Sequence, residues 1–245
     1  MSDSGPIYFS LVVLCYRSGR SVIPLIEQLH HMLSLFHFRW EIILVGNFVE
    51  GSDDETPQVV TELSRRLTGI RSVVLPKQGM MGWDMRTGLD VAEGEYLGVI
   101  DGDGQFPLES IVACLLKMES ERLDFIKTYR VSREDGLFRW AISKVYNIAF
   151  RILFHTSLRD INSKPKILKK AALDRMALKS DDWFVDAEIV LRALELGLKV
   201  GEIPVHFCAN SERRSFVKMG AILEFSKNLW NYRFKRGVHS VAKQA

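Results

Sequence analysis

The sequence predicts an α/β fold with a mostly parallel central sheet flanked by helices, on three observations. Short, nearly uninterrupted apolar runs rich in Val, Leu and Ile recur along the first hundred residues, segments with helical spacing lie between them, and each run ends in a polar or glycine-containing segment. A strand that is apolar on both faces needs cover on both sides, which helices packed on the two faces of a parallel sheet supply.

The elements follow in order. Ile7 to Tyr16 reads as a strand, because it is too short for a confident helix and is bounded by Ser18 and Gly19. Ser21 is placed to cap a helix in which Val22, Leu25, Ile26, Leu29 and Leu33 share one face. Trp40 to Val45 is a second buried strand, a Gly, Ser and Asp segment runs to about Thr56, and Val59 to Leu67 is helical. Ile70 to Leu75 makes a third strand, Gly82 to Glu93 a helix closed by Gly94, and Tyr96 to Ile100 a fourth strand running into Asp101, Gly102, Asp103 and Gly104. Alternating strands and helices imply right-handed crossovers. Further on, Lys199 to Phe207 is a strand.

Composition narrows the class. The chain has 245 residues, 47% hydrophobic and 26% charged, as in an ordinary globular protein and unlike a disordered or fibrous one. The start is short and polar and no run of eighteen apolar residues follows, so a signal peptide and a spanning helix are disfavoured and a cytoplasmic protein is expected. Cys15, Cys114 and Cys208 are odd in number and widely spaced, fitting reduced core thiols better than disulfides or zinc ligands. Charge is uneven: Met1 to Arg122 carries 10 Lys and Arg against 17 Asp and Glu, while the remainder carries 23 against 13. A basic half attracts phosphates or anionic head groups, whereas acidic side chains beside a site can hold a divalent cation. The basic residues are not interleaved with a nucleic-acid motif, so no nucleic-acid partner is expected.

In sheets of this kind ligands bind outside the carboxyl ends of the strands, so the segments after Tyr16, Val45, Leu75 and Ile100 should surround one crevice. Asp101 and Asp103 lie two apart and face one side of an extended backbone, while Gly102 and Gly104 leave room for a ligand against the main chain. Hard oxygen ligands so arranged suit Mg2+ or Mn2+ on a diphosphate, although spacing alone favours a simple Asp and Gly turn. A Walker loop, a dinucleotide glycine fingerprint and a nucleophile elbow are absent from the sequence.

The order of motifs resembles family 2 glycosyltransferases, in the branch of dolichol-phosphate mannose synthases and bacterial polyprenyl-phosphate glycosyltransferases. The resemblance runs from about Tyr8 to Lys218 and rests on LVVLCY at Leu11, EIILV at Glu41, MRTGLDVAEGEYLGVIDGDGQFPLE at Met85, RVSREDGLFRWAISKVYN at Arg130, RDINSKPKILKK at Arg159 and WFVDAEIVLRALELGLKVGEIPV at Trp183. It implies a GT-A-type nucleotide-binding fold over residues 1–218, followed by an amphipathic basic helical extension over 219–245. It also implies a metal-dependent, inverting transfer of sugar from a nucleoside diphosphate sugar to a polyprenyl phosphate. Asp101, Asp103 and Gln105 match the metal motif, with Tyr16, Asn47, Asp101 and Gln105 on the donor side. Asp103 is assigned to catalysis through the metal, and Asp186 as the base that a hydroxyl acceptor would need. Arg130, Arg133, Lys164 and Lys166 lie in segments similar to those that hold the acceptor phosphate, and Arg213, Arg214 and Lys218 resemble a basic loop covering phosphates.

The chain departs from the family pattern where Gly46 and Asn47 replace an aspartate pair, where Arg17, Ser18 and Gly19 follow Tyr16, and at Gln78 to Gly82. These changes leave open an unusual donor, a substitute contact such as Asn47 or Asp53, or a degenerate protein that binds nucleotide sugar without turnover. Transfer to a soluble hydroxyl acceptor is the other alternative. Leu137 to Phe154 carries a narrow polar stripe, Arg139, Ser143, Asn147 and Arg151, on an otherwise mostly apolar circumference. Such a helix calls for burial on nearly every side, by the core or a second copy in a homo-oligomer, or else for a membrane interface. The second reading makes the protein peripheral at the inner face of the cell membrane.

Overall fold

The computed structural model describes residues 5–133, 137–208 and 227–236. Seven strands form one sheet in the order β3-β2-β1-β4-β6-β5-β7. They are β1 (Phe9–Leu14), β2 (Trp40–Val45), β3 (Ile70–Val73), β4 (Tyr96–Asp101), β5 (Phe125–Arg133), β6 (Lys166–Lys169) and β7 (Val200–Phe207). Helices α1 (Ile23–Ser34), α2 (Thr56–Arg66), α3 (Met81–Asp90), α4 (Glu109–Glu121), α5 (Leu137–Phe154), α6 (Lys170–Met176) and α7 (Val185–Glu195) connect them. Every pairing is parallel except those of β6, which runs antiparallel to both β4 and β5.

The strand periodicity explains the unbroken apolar runs. All six residues of β1 are buried, with Phe9, Leu11 and Val13 turned to the layer that holds α1, α2 and α4, and Val12 and Leu14 to the layer that holds α3, part of α5, and α7. Both faces are covered, as parallel strands require.

Several local expectations change. Ser21 does not cap α1: a short 3-10 turn, Gly19–Val22, precedes the helix, Pro24 occupies its first turn, and the Ser21 hydroxyl donates back to the Ser18 carbonyl. Cys15 and Cys114 are buried free thiols, but Cys208 is exposed just past β7, because the strand ends before it. Within the chain, the core does not cover the whole circumference of helix α5, so cover by a second copy or by a membrane stays open. Phe150 is fully buried against the sheet, yet Val145, Ile148 and Ile152, spaced three and four apart, stand 68%, 47% and 67% exposed. Its polar residue Asn147 instead turns inward to accept the Ile161 N–H. Among the described residues no helix is long and apolar enough to cross a membrane.

The chain runs outward from β1 to β2 and β3, then returns to place β4 on the other side of β1. That reversal sets the switch point, where ligands bind in sheets of this kind, at the carboxyl ends of β1 and β4, where Leu14 lies opposite Asp101.

Candidate functional site

Asp101 closes β4 at the reversal point, partly exposed, and the chain then turns through Gly102. Gly102 donates its N–H to the Leu14 carbonyl of β1, and a Cβ there would lie 2.8 Å from that oxygen, so the turn after β4 requires glycine. Asp103 Oδ1 accepts the Gln105 N–H at 3.1 Å, which tightens the loop. Gln105 is fastened to the end of β7: its side-chain amide donates to the Cys208 carbonyl and its own carbonyl accepts the Cys208 N–H, both at 3.0 Å. Phe106 packs edge-on against Phe207 below it.

Behind the aspartates lies a buried ionic chain. The antiparallel register pairs Val99 with Lys166; two residues on from Val99 and two back from Lys166, Asp101 therefore meets Lys164. The Lys164 ammonium stands 3.3 Å from Asp101 Oδ1 and 3.0 Å from Asp186 Oδ2, and Lys166 Nζ stands 2.6 Å from Asp186 Oδ1. The side chains of Lys164, Lys166 and Asp186 are at most 2% exposed. Burial alone would push the Asp186 carboxyl up, but the two ammonium groups outweigh it and hold the group below the usual carboxylate range. Burial would lower Lys164, yet Asp101 and Asp186 together carry it above the ordinary lysine value. Lys166 is brought down to about 8 by burial, with Asp186 only partly compensating and Lys164 adding like-charge repulsion. Asp186 is thus an ionised counter-ion between two cations, a poor proton acceptor in this arrangement.

On the β1 and β2 side, Tyr16 is half-buried with Lys77 Nζ 4.2 Å above its ring centre. Lys77 is paired with the buried carboxylate of Asp84 on α3. The Asp84 carboxyl is pushed up by burial, which Lys77 and Asn47 offset only in part. Asn47, placed on the donor side by sequence, is fully buried, and its amide is committed inside the protein: Nδ2 donates to Asp84 and Thr87, and Oδ1 accepts the Leu75 N–H. It splices the ends of β2 and β3 to α3. Asp53 is exposed and only loosely paired with Arg17, at 3.9 Å.

The start of α3 is set by a loop from elsewhere in the chain. Met80 and Trp83 donate backbone N–H groups to the Asp181 carbonyl and Gly82 to that of Asp182. A Cβ on Gly82 would lie 2.3 Å from the Ser180 carbonyl oxygen, so the rewritten Gln78 to Gly82 segment lets the two backbones touch. Glu188 on α7 holds the same loop by accepting the Lys179 and Ser180 N–H groups.

Arg130 on β5, which the resemblance assigns to the acceptor phosphate, makes a two-pronged pair with Asp160, Nε to Oδ2 at 2.6 Å and Nη2 to Oδ1 at 2.7 Å. Burial would raise the Asp160 carboxyl, but this fork, helped by Lys127, lowers it to about 2. The Arg133 side chain, with Arg213, Arg214 and Lys218, lies outside the described residues. The structure therefore joins Asp101, Lys164, Asp186 and Lys166 in one chain and puts Arg130 in a separate pair with Asp160. Sequence reasoning missed Lys77, Asp84 and Asp160. Asp84 stands between Trp83 and Met85, but Lys77 and Asp160 each have a polar neighbour and read like any surface charge.

Among the described residues no three His, Cys, Asp or Glu side chains converge as a metal cage. The carboxylates of Asp101 and Asp103 are nonetheless hard oxygen donors beside a crevice. Such a pair fits Mg2+ or Mn2+ that takes its remaining ligands from water and phosphate oxygens.

A parallel sheet with one reversed strand and an Asp-Gly-Asp turn at its switch point define a GT-A-type fold. Residues 10–180 match Glycosyl transferase family 2; the chain belongs to that family. A dodecaprenyl-phosphate galacturonate synthase of Rhizobium johnstonii is 29% identical over 174 residues, covering 70% of this chain and 51% of that protein. An undecaprenyl-phosphate 4-deoxy-4-formamido-L-arabinose transferase of Salmonella choleraesuis is 26% identical over 208 residues, covering 84% and 62%. The chain thus spans 51% to 62% of the length of these curated relatives. Among solved structures, glucosyl-3-phosphoglycerate synthase from Mycobacterium tuberculosis with Mn2+, UDP and phosphoglyceric acid superposes with a TM-score of 0.70 at 15% identity, covering 94% of this chain and 79% of that one. The same protein with Mg2+ and UDP gives 0.66 at 14% identity, covering 94% and 80%. At that identity the likeness concerns the fold.

Proposed function

We propose that the protein is a glycosyltransferase that takes a sugar from a nucleoside diphosphate donor, held at the carboxyl ends of β1 and β4, and transfers it to a polyprenyl phosphate. The observation that carries this reading is the state of Asp186. A hydroxyl acceptor needs a base, and the carboxylate assigned to that task, Asp186, is held ionised by Lys164 and Lys166 with both oxygens engaged. A phosphate acceptor is already anionic near neutral pH and attacks without such help. Two curated relatives that bear a polyprenyl-phosphate name support the same acceptor class.

In this reading Asp101 and Asp103 hold a divalent cation, which when bound supplies Lewis-acid stabilisation of the leaving diphosphate. Gly102 lets the donor approach the main chain, and Tyr16 forms the wall of the crevice beyond β1. Gln105 braces the aspartate loop against β7, which keeps the loop in register with the strand end. The acceptor phosphate is met by the basic half of the chain, with Arg130 on β5, while Lys166, enclosed behind Asp186, adds positive charge rather than a direct contact. Inversion at the sugar follows from a single displacement.

Lipid acceptors lie at membranes, and a docking surface supports this part of the reading. Val145, Ile148 and Ile152 on α5 are exposed, and so are Trp230 and Phe234, whose tilted rings lie 4.2 Å apart on the segment that touches α5 through Arg233 and the Leu153 carbonyl. Neither residues 137–154 nor residues 227–236 contain an Asp or Glu, while Lys144, Arg151 and Arg233 are exposed beside the apolar side chains. Apolar and aromatic groups with basic neighbours suit an anionic bilayer surface.

The test is turnover by the purified full chain with Mn2+, a panel of nucleotide sugars, and either undecaprenyl phosphate or a neutral polyprenol. Sugar transfer to the phosphate alone is expected. Transfer to the neutral alcohol and never to the phosphate would overturn the acceptor assignment, and absence of transfer from every donor would overturn the enzymatic one.

A further inference from the structure

The buried lysine beside the aspartate pair has a consequence for how a cation enters. Asp101 touches the ionic chain behind it, and the contact is to a full positive charge: Lys164 Nζ at 3.3 Å from Oδ1. That ammonium cannot swing away into water. It is 2% exposed, lies 3.6 Å from the Met81 sulfur, and is tied on its far side to Asp186 at 3.0 Å, while Asp186 is itself tied to Lys166. Lys164 and Lys166 therefore balance Asp186 and the partly exposed Asp101 in charge. Asp103 in turn receives the Gln105 N–H on Oδ1, which draws part of its charge.

We infer that Lys164 makes divalent-cation binding depend on the donor: by neutralising Asp101 it keeps the aspartate pair a weak site for a free cation, and the cation enters together with the nucleoside diphosphate. Two physical reasons support this. A cation of charge two arriving at Asp101 meets a fixed like charge in a poorly screened setting, where repulsion is several times stronger than in water. Moreover, Mg2+ and Mn2+ call for about six oxygen ligands and hold their water firmly, and among the described residues no third His, Cys, Asp or Glu joins the pair. The diphosphate supplies both missing elements, negative charge and oxygen ligands. Lys164 is a positioning residue in this scheme: it acts through Asp101 and keeps the site from filling with a cation before the donor arrives. Removing its charge should leave Asp101 an uncompensated carboxylate that binds a free cation well.

The inference rests on the cation and donor assignment proposed above, and the experiment separates the two. Free Mn2+ is followed by its solution electron spin resonance signal as it is titrated with the metal-stripped full chain, alone and with UDP, GDP, CDP or ADP in excess. In the unaltered protein at least one diphosphate should tighten Mn2+ binding tenfold or more over the protein alone. Lys164→Met should bind free Mn2+ at least tenfold more tightly than the unaltered protein, shrinking the dependence on diphosphate, and Lys164→Arg should restore the original behaviour. Lys164→Gln, which retains hydrogen-bonding capacity without charge, serves if the methionine variant does not fold and should behave like it. Equal Mn2+ affinity with and without every diphosphate overturns the inference without any variant, as does a folded Lys164→Met or Lys164→Gln that binds free Mn2+ no better than the original. If Mn2+ binds in no combination, the cation assignment falls and the inference with it.

Discussion

Replacing Asp160 by Asn removes one charge from the fork with Arg130 and changes little else in size. The paired side chains are only 10% and 12% exposed, so solvent screening is slight. The native carboxyl titrates at about 2 against an ordinary 3.8, and a gap of that size corresponds to about 2 kcal/mol of stability. The sign follows from the depressed value. The contribution is complete above the unfolded-state value and is lost as pH falls through the native one, so roughly half is gone near pH 3 and nearly all near pH 1. Urea unfolding of the original protein and Asp160→Asn at pH 7, 5, 4 and 3 should give a difference of about 2 kcal/mol at pH 7 and 5, narrowing at pH 3. A difference below about 0.5 kcal/mol at pH 7, the level of an ordinary exposed ion pair, or one that does not narrow in acid, would refute the reasoning.

Asp103→Ala should abolish Mn2+-dependent nucleotide binding measured by calorimetry while leaving the thermal midpoint nearly unchanged, since Asp103 is not buried. Gly82→Ala forces a methyl against the Ser180 carbonyl, 2.3 Å away, and thermal unfolding should show a loss of about 1–3 kcal/mol, as for other overpacked sites. Ile148→Glu with Ile152→Glu should end flotation with anionic liposomes at low salt without lowering the thermal midpoint, because both side chains already face outward. Flotation that survives the pair would assign membrane contact to another surface.

The sequence by itself determined the half of the fold in which each element signals its own surroundings. Strands β1, β2 and β4 are unbroken apolar runs because both faces are covered, and Asp101 and Asp103 were legible because the strand ends where the charge begins. Only the tertiary structure decided the rest, and the reason is distance along the chain. Strand β6 is short and begins and ends in lysine, so it carries no apolar run to announce it, yet its reversed direction alone brings Lys164 to Asp101, 63 positions away. Lys166 reads as a surface charge until Asp186 is found beside it in the interior. Asn47 reads as a ligand contact because it follows a strand end, but Asp84, Thr87 and the Leu75 N–H, far off in sequence, claim its amide. In helix α5 the composition showed too little polar surface, whereas which of its apolar residues meet the sheet and which meet solvent depended on where the sheet lies. Periodicity reports how many faces of an element are apolar; a buried charge is defined by its partner, and that partner is supplied by the fold.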